Sequence, residues 1–381
     1  MPLPDAAVDA ELEEIGLHQP EKLVHRGEED GEPEDAPVRP DVRPQPPDEA
    51  AVVRLPLLLL AREVRHRRDL AIVPEQTQPG ARCTSVGRVP ILAPVRVVIV
   101  GAAGQLGREL TRILPHDDLV SLTRADLDLQ DAAAVTARLV ALAPAAVVNA
   151  AADNRVDAAE EDPTQAVAVN ALGVAAVARA CRSSGAFFVQ PSTDYVFDGR
   201  TTTPYTEEAR PNPLGMYARS KLAGELLACT LAPRCAVVRV AGLYAAGGSR
   251  TKGGSFVDRV IARAQDGERL RIVADQVTAP TYARDVAGTL AALLPRWVSG
   301  EAPGGLYHVT NAGACSWFEF ARAALELAGL RAALEPISSA ARGAAAPRPA
   351  YSVLANTRLA ALGEPPLRPW RDALAAYLAG E

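Results

Sequence analysis

One stretch of the chain decides its fold: Val95-Arg96-Val97-Val98-Ile99-Val100-Gly101-Ala102-Ala103-Gly104-Gln105-Leu106-Gly107. The first six residues are mostly valine and isoleucine and predict a buried strand. The glycines that follow have the spacing Gly-x-x-Gly-x-x-Gly. When such glycines directly follow a strand and open a helix, they let a pyrophosphate approach the helix N-terminus. The stretch therefore predicts a turn that binds a dinucleotide.

Downstream of this turn, apolar runs alternate with helical stretches. The pattern predicts further strands at 119–122, 146–149, 187–190 and 236–240, and helices at 104–114, 131–142, 162–183 and 217–231. Strands that alternate with helices indicate an α/β fold with a Rossmann-type, doubly wound parallel sheet. We expect residues 95–242 to form this domain.

The regularity breaks after residue 242, where the pattern predicts helices at 255–264, 317–328 and 368–378 and a strand at 306–309. We expect residues 243–381 to form mainly a smaller C-terminal substrate-binding lobe, with some segments returning to the Rossmann domain.

Residues 1–94 contain 14 of the 31 prolines and show no sustained helix or strand period, which predicts a largely disordered N-terminal extension. A fold of this type usually starts just before its first strand. We therefore hypothesise that Val95 is the true start, encoded by a valine codon read as initiator Met. A natural regulatory tail is the alternative.

The composition narrows the function classes. The 381 residues are 48% hydrophobic, enough for a sizeable core, and the net charge of -6 offers no basic footprint for nucleic acid. The apolar run at residues 55–61 is far shorter than the roughly 18 residues that cross a bilayer. The five cysteines form no Cys-x-x-Cys pair and the histidines are scattered. We expect no nucleic-acid or membrane partner, no metal, and a cytoplasmic location.

Tyr217 and Lys221 lie four residues apart, so they share one face of a helix, where an ammonium can lower the pKa of a phenol and make it a usable proton donor. Thr193 follows the predicted strand 187–190, at the sheet edge where open α/β sheets bind ligands. A threonine there is also a common turn former. The order of glycine turn, strand-end Thr and Tyr-x-x-x-Lys nevertheless predicts a carbonyl reductase.

Arg124 follows the second strand, where Rossmann folds discriminate a ribose 2'-hydroxyl from a 2'-phosphate. The first acidic residue after it is Asp126, so the sequence favours NADPH, with NADH possible. In the alternatives, Arg124 is an exposed loop residue, or Asp126 or Asp128 faces the ribose or adenine.

Several segments of this chain closely resemble the dTDP-4-dehydrorhamnose reductases, which are extended short-chain dehydrogenase/reductases. They are residues 101–107, 192–199, 217–225, 275–276, 280–281 and 316–321, together with Arg348-Pro349 and Ser352. The likeness runs from Val95 almost to the C-terminus.

The resemblance implies NADPH-dependent reduction of the 4-keto group of dTDP-4-dehydro-L-rhamnose, a dTDP-linked keto-deoxysugar, to dTDP-L-rhamnose. Tyr217 would protonate the forming alkoxide, Lys221 would depress the phenol pKa and bind the nicotinamide ribose, and Thr193 would hydrogen-bond the carbonyl oxygen. The implied cofactor contacts are Gly101, Gly104, Gln105, Leu106, Arg124, Asp128, Ala150, Ala151, Tyr217 and Lys221. The implied substrate contacts are Asp194, Tyr195, Ser255 and Gln276. A homodimer is possible.

The chain also departs from the family pattern. An aromatic residue and a threonine usually stand where this chain has Asp153 and Asn154, a tryptophan where it has Gly242, and an asparagine where it has Ser255. Loss of an aromatic platform removes stacking area for a sugar or base. Trp317 is a candidate to replace the lost aromatic surface. The alternative role for Trp317 is packing in the core.

Two other functions remain open at this stage. One is a 4-ketoreductase that acts on another dTDP-deoxysugar. The other is a non-catalytic, dinucleotide-binding regulatory subunit of the methionine adenosyltransferase type. Intact Thr193, Tyr217 and Lys221 favour an enzyme.

Overall fold

The computed structural model describes residues 96–248 and 254–381. The predicted N-terminal extension and the hypothesised start at Val95 lie outside the described residues. The first strand begins at Val97.

The described chain alternates strands and helices in the first half and becomes less regular in the second. The strands are Val97–Val100, Leu119–Leu122, Ala146–Asn149, Phe187–Thr193, Cys235–Val240, Leu243–Tyr244, Leu270–Val273, Val277–Thr278, Thr281–Tyr282, Gly305–His308, Cys315–Ser316 and Leu334–Ile337. The α-helices are Gln105–Ile113, Ala132–Leu142, Ala158–Glu161, Thr164–Val167, Val174–Ser184, Met216–Leu231, Phe256–Gln265, Ala283–Ser299, Trp317–Leu327, Ser339–Arg342, Thr357–Ala361 and Trp370–Ala379.

The main sheet confirms the predicted doubly wound architecture. Six parallel strands pair in the order Gly305–His308, Cys235–Val240, Phe187–Thr193, Ala146–Asn149, Val97–Val100 and Leu119–Leu122. The first strand pairs with the second on one side and with the third on the other. At such a reversal of strand order, the helices leave the sheet in opposite directions and open a crevice at the carboxyl ends.

Alternation of side chains along the strands builds a core on each face of the sheet. Val98 and Val100 pack in the cluster that includes residues of the helices Ala132–Leu142 and Val174–Ser184. Ile99 points to the opposite face, among residues of Gln105–Ile113 and Ala283–Ser299. Strands buried on both faces read as continuous apolar runs, which is why the sequence identified them.

The helix Ala283–Ser299 was missing from the sequence-based assignment, although it covers much of the second face of the sheet. Its buried residues include Val286, Leu290 and Trp297. Pro295 lies inside the helix. A proline inside a helical pattern normally indicates a helix end, but this helix continues past Pro295 to Ser299.

The predicted helix 162–183 consists of two α-helical segments joined by a π-helical turn, Ala168–Gly173. Asn170 in that turn accepts a hydrogen bond from the Asp153 backbone N–H (2.9 Å) and donates to the Asp153 carbonyl oxygen (2.8 Å). Among the described helices, the run Thr164–Ser184 is the one long and apolar enough to cross a membrane by composition, but 61% of that window is buried within the fold.

The rest of the C-terminal part forms small two-stranded sheets and helices. Strand Leu270–Val273 pairs with Leu334–Ile337, and an aromatic cluster around Tyr244, Tyr282 and Phe320 fills the interior. Strand Gly305–His308 instead completes the main sheet. The predicted division at residue 242 stays a prediction.

Candidate active site

One cleft of 1470 Å³ runs from the glycine turn to the C-terminal lobe. The structure brings every residue predicted for catalysis, cofactor or substrate into its lining. The glycine turn contributes Gly101, Gly104, Gln105 and Leu106; the next two strand ends contribute Arg124, Asp128, Ala150 and Ala151; the remaining elements contribute Thr193, Asp194, Tyr195, Tyr217, Lys221, Ser255 and Gln276.

At Gly101 and Gly107 the glycine turn packs so closely against neighbouring backbone that no side chain fits. Gly101 has φ +81°, and a Cβ there would lie 2.5 Å from the Ala151 backbone nitrogen. A Cβ on Gly107 would lie 2.3 Å from the Gly101 carbonyl oxygen. The helix Gln105–Ile113 follows Gly104, which occupies the N-cap position and offers no side chain to cap it. Its first N–H groups therefore face the cleft ready for an anion, as the pyrophosphate of a dinucleotide requires.

The side chains that follow strand Leu119–Leu122 place a positively charged group at this edge of the cleft. The Asp126 carboxylate accepts from the Thr123 backbone N–H (2.8 Å) and hydroxyl (2.7 Å), so it closes its own turn. The Arg124 guanidinium is 77% exposed and lies 3.6 Å from Asp128. A guanidinium on a mobile stem at this point can meet a 2'-phosphate.

Tyr217 and Lys221 project into the cleft from the helix Met216–Leu231. Lys221 Nζ donates to the Pro191 carbonyl oxygen (2.8 Å), and burial lowers the pKa of Lys221 to about 8. Burial raises the pKa of Tyr217, while its hydrogen bond with Thr193 acts in the opposite direction. The sequence predicted that Lys221 would lower the Tyr217 pKa. Desolvation of the phenol outweighs the other effects on the Tyr217 pKa in this structure, and the contribution of Lys221 to that pKa stays a prediction.

Thr193 ends the strand Phe187–Thr193 and joins a chain of hydrogen bonds. Its Oγ1 lies 3.1 Å from Asp194 Oδ1 and accepts from the Tyr195 backbone N–H (3.2 Å). Asp194 Oδ2 accepts from the hydroxyls of Ser352 (2.5 Å) and Thr278 (3.4 Å). Burial raises the pKa of Asp194 to about 6. Sequence reasoning missed Thr278, because nothing local signals that it faces residue 194.

Tyr195 stands beside the predicted proton donor. Its ring meets the Tyr217 ring edge to face, with centroids 6.2 Å apart. Burial raises the pKa of Tyr195 to about 12, and its hydroxyl hydrogen-bonds Arg348. Arg348 also binds Asp157 through both terminal nitrogens (3.0 and 2.8 Å), which fixes the guanidinium at the cleft wall.

Ser255 and Gln276 are already engaged inside the fold. Ser255 caps the helix Phe256–Gln265 by accepting from the Asp258 backbone N–H, and its hydroxyl lies 3.0 Å from the Tyr377 hydroxyl. Gln276 Nε2 donates to the Ser339 hydroxyl (2.8 Å). Their contacts to substrate remain predictions.

The departures from the family pattern, Asp153, Asn154, Gly242 and Ser255, all line the cleft. Gly242 has φ +50°, and a Cβ there would lie 3.3 Å from Cη2 of Trp317. Trp317 packs on Phe256, with ring centroids 4.9 Å apart, and both line the cleft. Trp317 is therefore an aromatic wall beside position 242, not only a core residue. Asp153 forms an ion pair with Arg155 (2.6 Å).

The lobe side of the cleft is rich in arginine, although the whole chain is acidic. The lining includes Arg259, Arg263, Arg271, Arg342 and Arg348. Burial lowers the pKa of Arg259; the charge of Asp258 acts against this shift, and the charge of Arg342 acts with it. Two guanidinium groups that repel each other in this way are stabilised by an anion between them. Arg259 and Arg342 escaped the sequence analysis because they are far apart in the chain.

Comparison with known proteins identifies the family of this chain. The family model of the RmlD substrate binding domain matches residues 95–381. A dTDP-4-dehydrorhamnose reductase from Streptomyces griseus is 41% identical over 283 residues, covering 73% of this chain and 91% of the relative. A probable dTDP-4,6-dihydroxy-2-methyloxan-3-one 4-ketoreductase from Streptomyces antibioticus is 40% identical over 286 residues, covering 74% of this chain and 93% of the relative.

A solved structure gives the same result. The dTDP-4-dehydrorhamnose reductase of Bacillus anthracis, crystallised in complex with NADP, superposes with a TM-score of 0.71 at 33% identity, covering 75% of this chain and 99% of that protein. The chain therefore belongs to the dTDP-4-dehydrorhamnose reductase family.

Proposed function

We propose that this protein is an NADPH-dependent oxidoreductase that reduces the 4-keto group of dTDP-4-dehydro-L-rhamnose to give dTDP-L-rhamnose. The observation that carries the proposal is the position of Thr193, Tyr217 and Lys221. They stand at the middle of a cleft with an uncapped helix N-terminus at one end and arginines at the other.

The residues around the glycine turn fit a dinucleotide. The N–H groups at the start of the helix Gln105–Ile113 would bind the pyrophosphate, Arg124 would bind the 2'-phosphate, and Lys221 would hold the nicotinamide ribose. Ala150 and Ala151 would support the adenosine side. NADPH, when bound, supplies the hydride for the sugar C4.

The chain's own groups handle the proton. The Tyr217 phenol is neutral at pH 7, since burial raises its pKa, and it therefore carries a proton to give to the sugar O4. Thr193 would hydrogen-bond the same oxygen and stabilise the negative charge that develops on it. General acid catalysis of this kind contributes about a hundred- to ten-thousandfold in rate.

The side of the cleft formed by the C-terminal lobe fits a nucleoside diphosphate sugar. Arg259 and Arg342 would bind the diphosphate, because guanidinium groups pair well with phosphate oxygens. Trp317 and Phe256 would stack against the base or the sugar. Asp194, Tyr195, Ser255 and Gln276, the contacts expected from the resemblance, lie in the same lining.

The second candidate is a 4-ketoreductase for another dTDP-deoxysugar, favoured by Asp153 and Gly242 in the cleft wall and by the Streptomyces antibioticus relative. The test is to incubate purified protein with NADPH and a panel of dTDP-4-keto sugars, then identify the products. Fastest turnover of dTDP-4-dehydro-L-rhamnose supports the proposal, and a preference for another sugar supports the second candidate. Tight NADPH binding with no oxidation by any sugar would point to a regulatory subunit.

We further propose a cytoplasmic location and a homodimer. Sedimentation of the purified protein tests the homodimer, since a single species with the monomer mass would contradict it.

Limited proteolysis that yields a stable fragment ending near residue 242 would support the proposed domain boundary.

A further inference from the structure

The helix that carries Tyr217 takes its N-terminal cap from a distant part of the chain. It begins at Met216, and neither Gly215 before it nor an acidic residue in its first turn supplies an acceptor for its free N–H groups. The Met216 backbone N–H instead donates to Glu160 Oε1 at 2.7 Å, from a residue 56 positions away. A carboxylate at this end of a helix satisfies a free donor and interacts favourably with the helix dipole.

Glycine at position 215 leaves the space that the Glu160 carboxylate occupies. Gly215 is buried, and a Cβ on it would lie 2.4 Å from Glu160 Oε1. The Gly215 backbone has φ -109° and ψ 171°, a conformation that is open to every residue type. The restriction on residue 215 therefore comes from the carboxylate beside it and not from its own backbone.

The segment that contains Glu160 is fixed to the cleft wall. Glu160 lies in the short helix Ala158–Glu161, which packs against the helix Met216–Leu231. Just before this short helix, Asp157 accepts from the Arg348 guanidinium (3.0 and 2.8 Å) and from a backbone N–H. These bonds keep the Glu160 carboxylate at the start of the Tyr217 helix.

Glu160 stands behind Tyr217 and not in the cleft itself. Among the described residues, Glu160 is absent from the cleft lining, but it borders a narrow gap together with Tyr195, Gly215 and Tyr217. Glu160 can therefore act on the chemistry only through the position of the helix.

We propose that Glu160 is a positioning residue: its hydrogen bond to Met216 holds the first helical turn, and with it the Tyr217 phenol. This inference rests on the proposed function. Tyr217 is the second residue of the helix, whereas Lys221 lies in the next turn and has its own bond to the Pro191 carbonyl oxygen. Helix ends fray when their N–H groups lose partners. Loss of the cap should therefore displace Tyr217 and leave Lys221 in place to bind the cofactor.

The first test compares Glu160→Ala with Glu160→Gln and with Glu161→Ala, a matched control at the exposed next residue. Glu160→Ala should lower kcat about tenfold, the change that loss of one hydrogen bond to a charged group produces, with NADPH affinity nearly unchanged. The Gln oxygen can still accept from Met216, so Glu160→Gln should keep kcat within about threefold of wild type. An undiminished kcat in Glu160→Ala would overturn the proposal, as would an equal loss in Glu160→Gln or in Glu161→Ala.

The second test, Gly215→Ala, leaves Glu160 in the chain and also serves if Glu160→Ala folds poorly. The new Cβ should push the carboxylate away from Met216, so this variant should lose about as much kcat as Glu160→Ala. Gly288→Ala, where nothing lies within 4 Å of the new Cβ, is the control. Added to Glu160→Ala, the Gly215→Ala change should lower kcat by less than about twofold, since the group it displaces is gone. Losses that multiply in the double variant would overturn the proposal.

A spectroscopic measurement separates this inference from the proposed function, because it needs no turnover. In NADPH-bound protein labelled with ¹³C at tyrosine Cζ, the Tyr217 resonance is the one lost in Tyr217→Phe. It should shift or broaden in Glu160→Ala and in Gly215→Ala and stay in place in Glu161→Ala. A Tyr217 resonance that Glu160→Ala leaves unmoved would overturn the role of Glu160 even if the wild type is active. A wild type that turns over no dTDP-4-keto sugar, with the shift present, would support the role of Glu160 in placing Tyr217 and reject the proposed function.

Discussion

Lys221 donates a hydrogen bond from its buried ammonium to the carbonyl oxygen of Pro191, at 2.8 Å. The same oxygen also accepts from Gln190 Nε2 (2.8 Å), so the strand edge does not depend on the lysine to satisfy it. The position of Lys221 in the cleft removes water from its ammonium, and this desolvation lowers the Lys221 pKa to about 8. Such a desolvation cost is typical of a group retained for function and not for stability.

Lys221→Met should stabilise the cofactor-free protein at neutral pH while abolishing turnover. The folded-state pKa of Lys221 lies below the unfolded value of about 10.4, so the unfolded chain binds more protons between these values. The wild-type free energy of unfolding therefore rises with pH from about 8 to about 10.4, and at pH 7 the buried charge costs at most about 3 kcal/mol.

The measurement is the melting temperature of both proteins at pH 7 and near pH 10. Lys221→Met should melt higher at pH 7, and its advantage should shrink at the higher pH. Arg219→Met, on the exposed face of the same helix, is the control and should change little. A Lys221→Met protein less stable than wild type at pH 7 would show that the lysine is stabilising.

Gly101→Ala should destroy NADPH binding, and Gly185→Ala provides a matched control. Both glycines have positive φ (+81° and +73°), so an alanine at either one carries a similar backbone strain of about 1–2 kcal/mol. Only at Gly101 would the new Cβ collide with the Ala151 backbone; nothing lies within 4 Å at Gly185. Calorimetric titration with NADPH should detect no binding to Gly101→Ala and near-normal binding to Gly185→Ala. Equal losses of NADPH affinity in the two variants would exclude close packing at Gly101 as the cause.

Arg124→Leu should weaken NADPH binding about tenfold or more and leave NADH binding unchanged. A hydrogen bond to a charged group is worth about 1.5–3 kcal/mol, and only NADPH carries the 2'-phosphate. Dissociation constants for both cofactors, measured by fluorescence titration, test this. Arg138→Leu, an exposed arginine on the next helix, controls for the loss of one positive charge. A parallel loss of NADH affinity would place Arg124 elsewhere on the cofactor.

Arg342→Gln should raise KM for the dTDP-sugar without changing NADPH affinity. Arg342 lines the lobe side of the cleft, near Arg259 and away from the glycine turn. Steady-state kinetics with varied sugar should show the increase, and it should diminish at high salt, which screens the charge. The exposed Arg331→Gln is the control. An unchanged KM would remove Arg342 from the diphosphate site.

The sequence predicted the parts of this fold whose signals are local. The run at Val97–Val100 is buried on both faces and the glycines follow it directly, so strand and turn could be assigned from neighbours in the chain. The helix Ala283–Ser299 was not among the predicted elements, and Pro295 interrupts its otherwise apolar pattern near the C-terminal end.

The sequence likewise predicted the parts of the candidate site whose signals are local. Tyr217 and Lys221 are related by helix geometry alone and could be paired from sequence. Thr278 and Ser352, which meet Asp194 from distant segments, depend on tertiary structure. The shift of the Tyr217 pKa also depends on tertiary structure, because the burial of a phenol cannot be deduced from its neighbours in sequence.

The most direct test of the account is the turnover of Tyr217→Phe with dTDP-4-dehydro-L-rhamnose, measured as NADPH oxidation and dTDP-L-rhamnose formed. The variant loses only the hydroxyl that is assigned as proton donor. We predict a kcat at least about a hundredfold below wild type, with NADPH affinity nearly unchanged. Tyr351→Phe, outside the cleft lining, should retain full activity. Undiminished turnover by Tyr217→Phe would contradict the central claim that this phenol protonates the sugar oxygen.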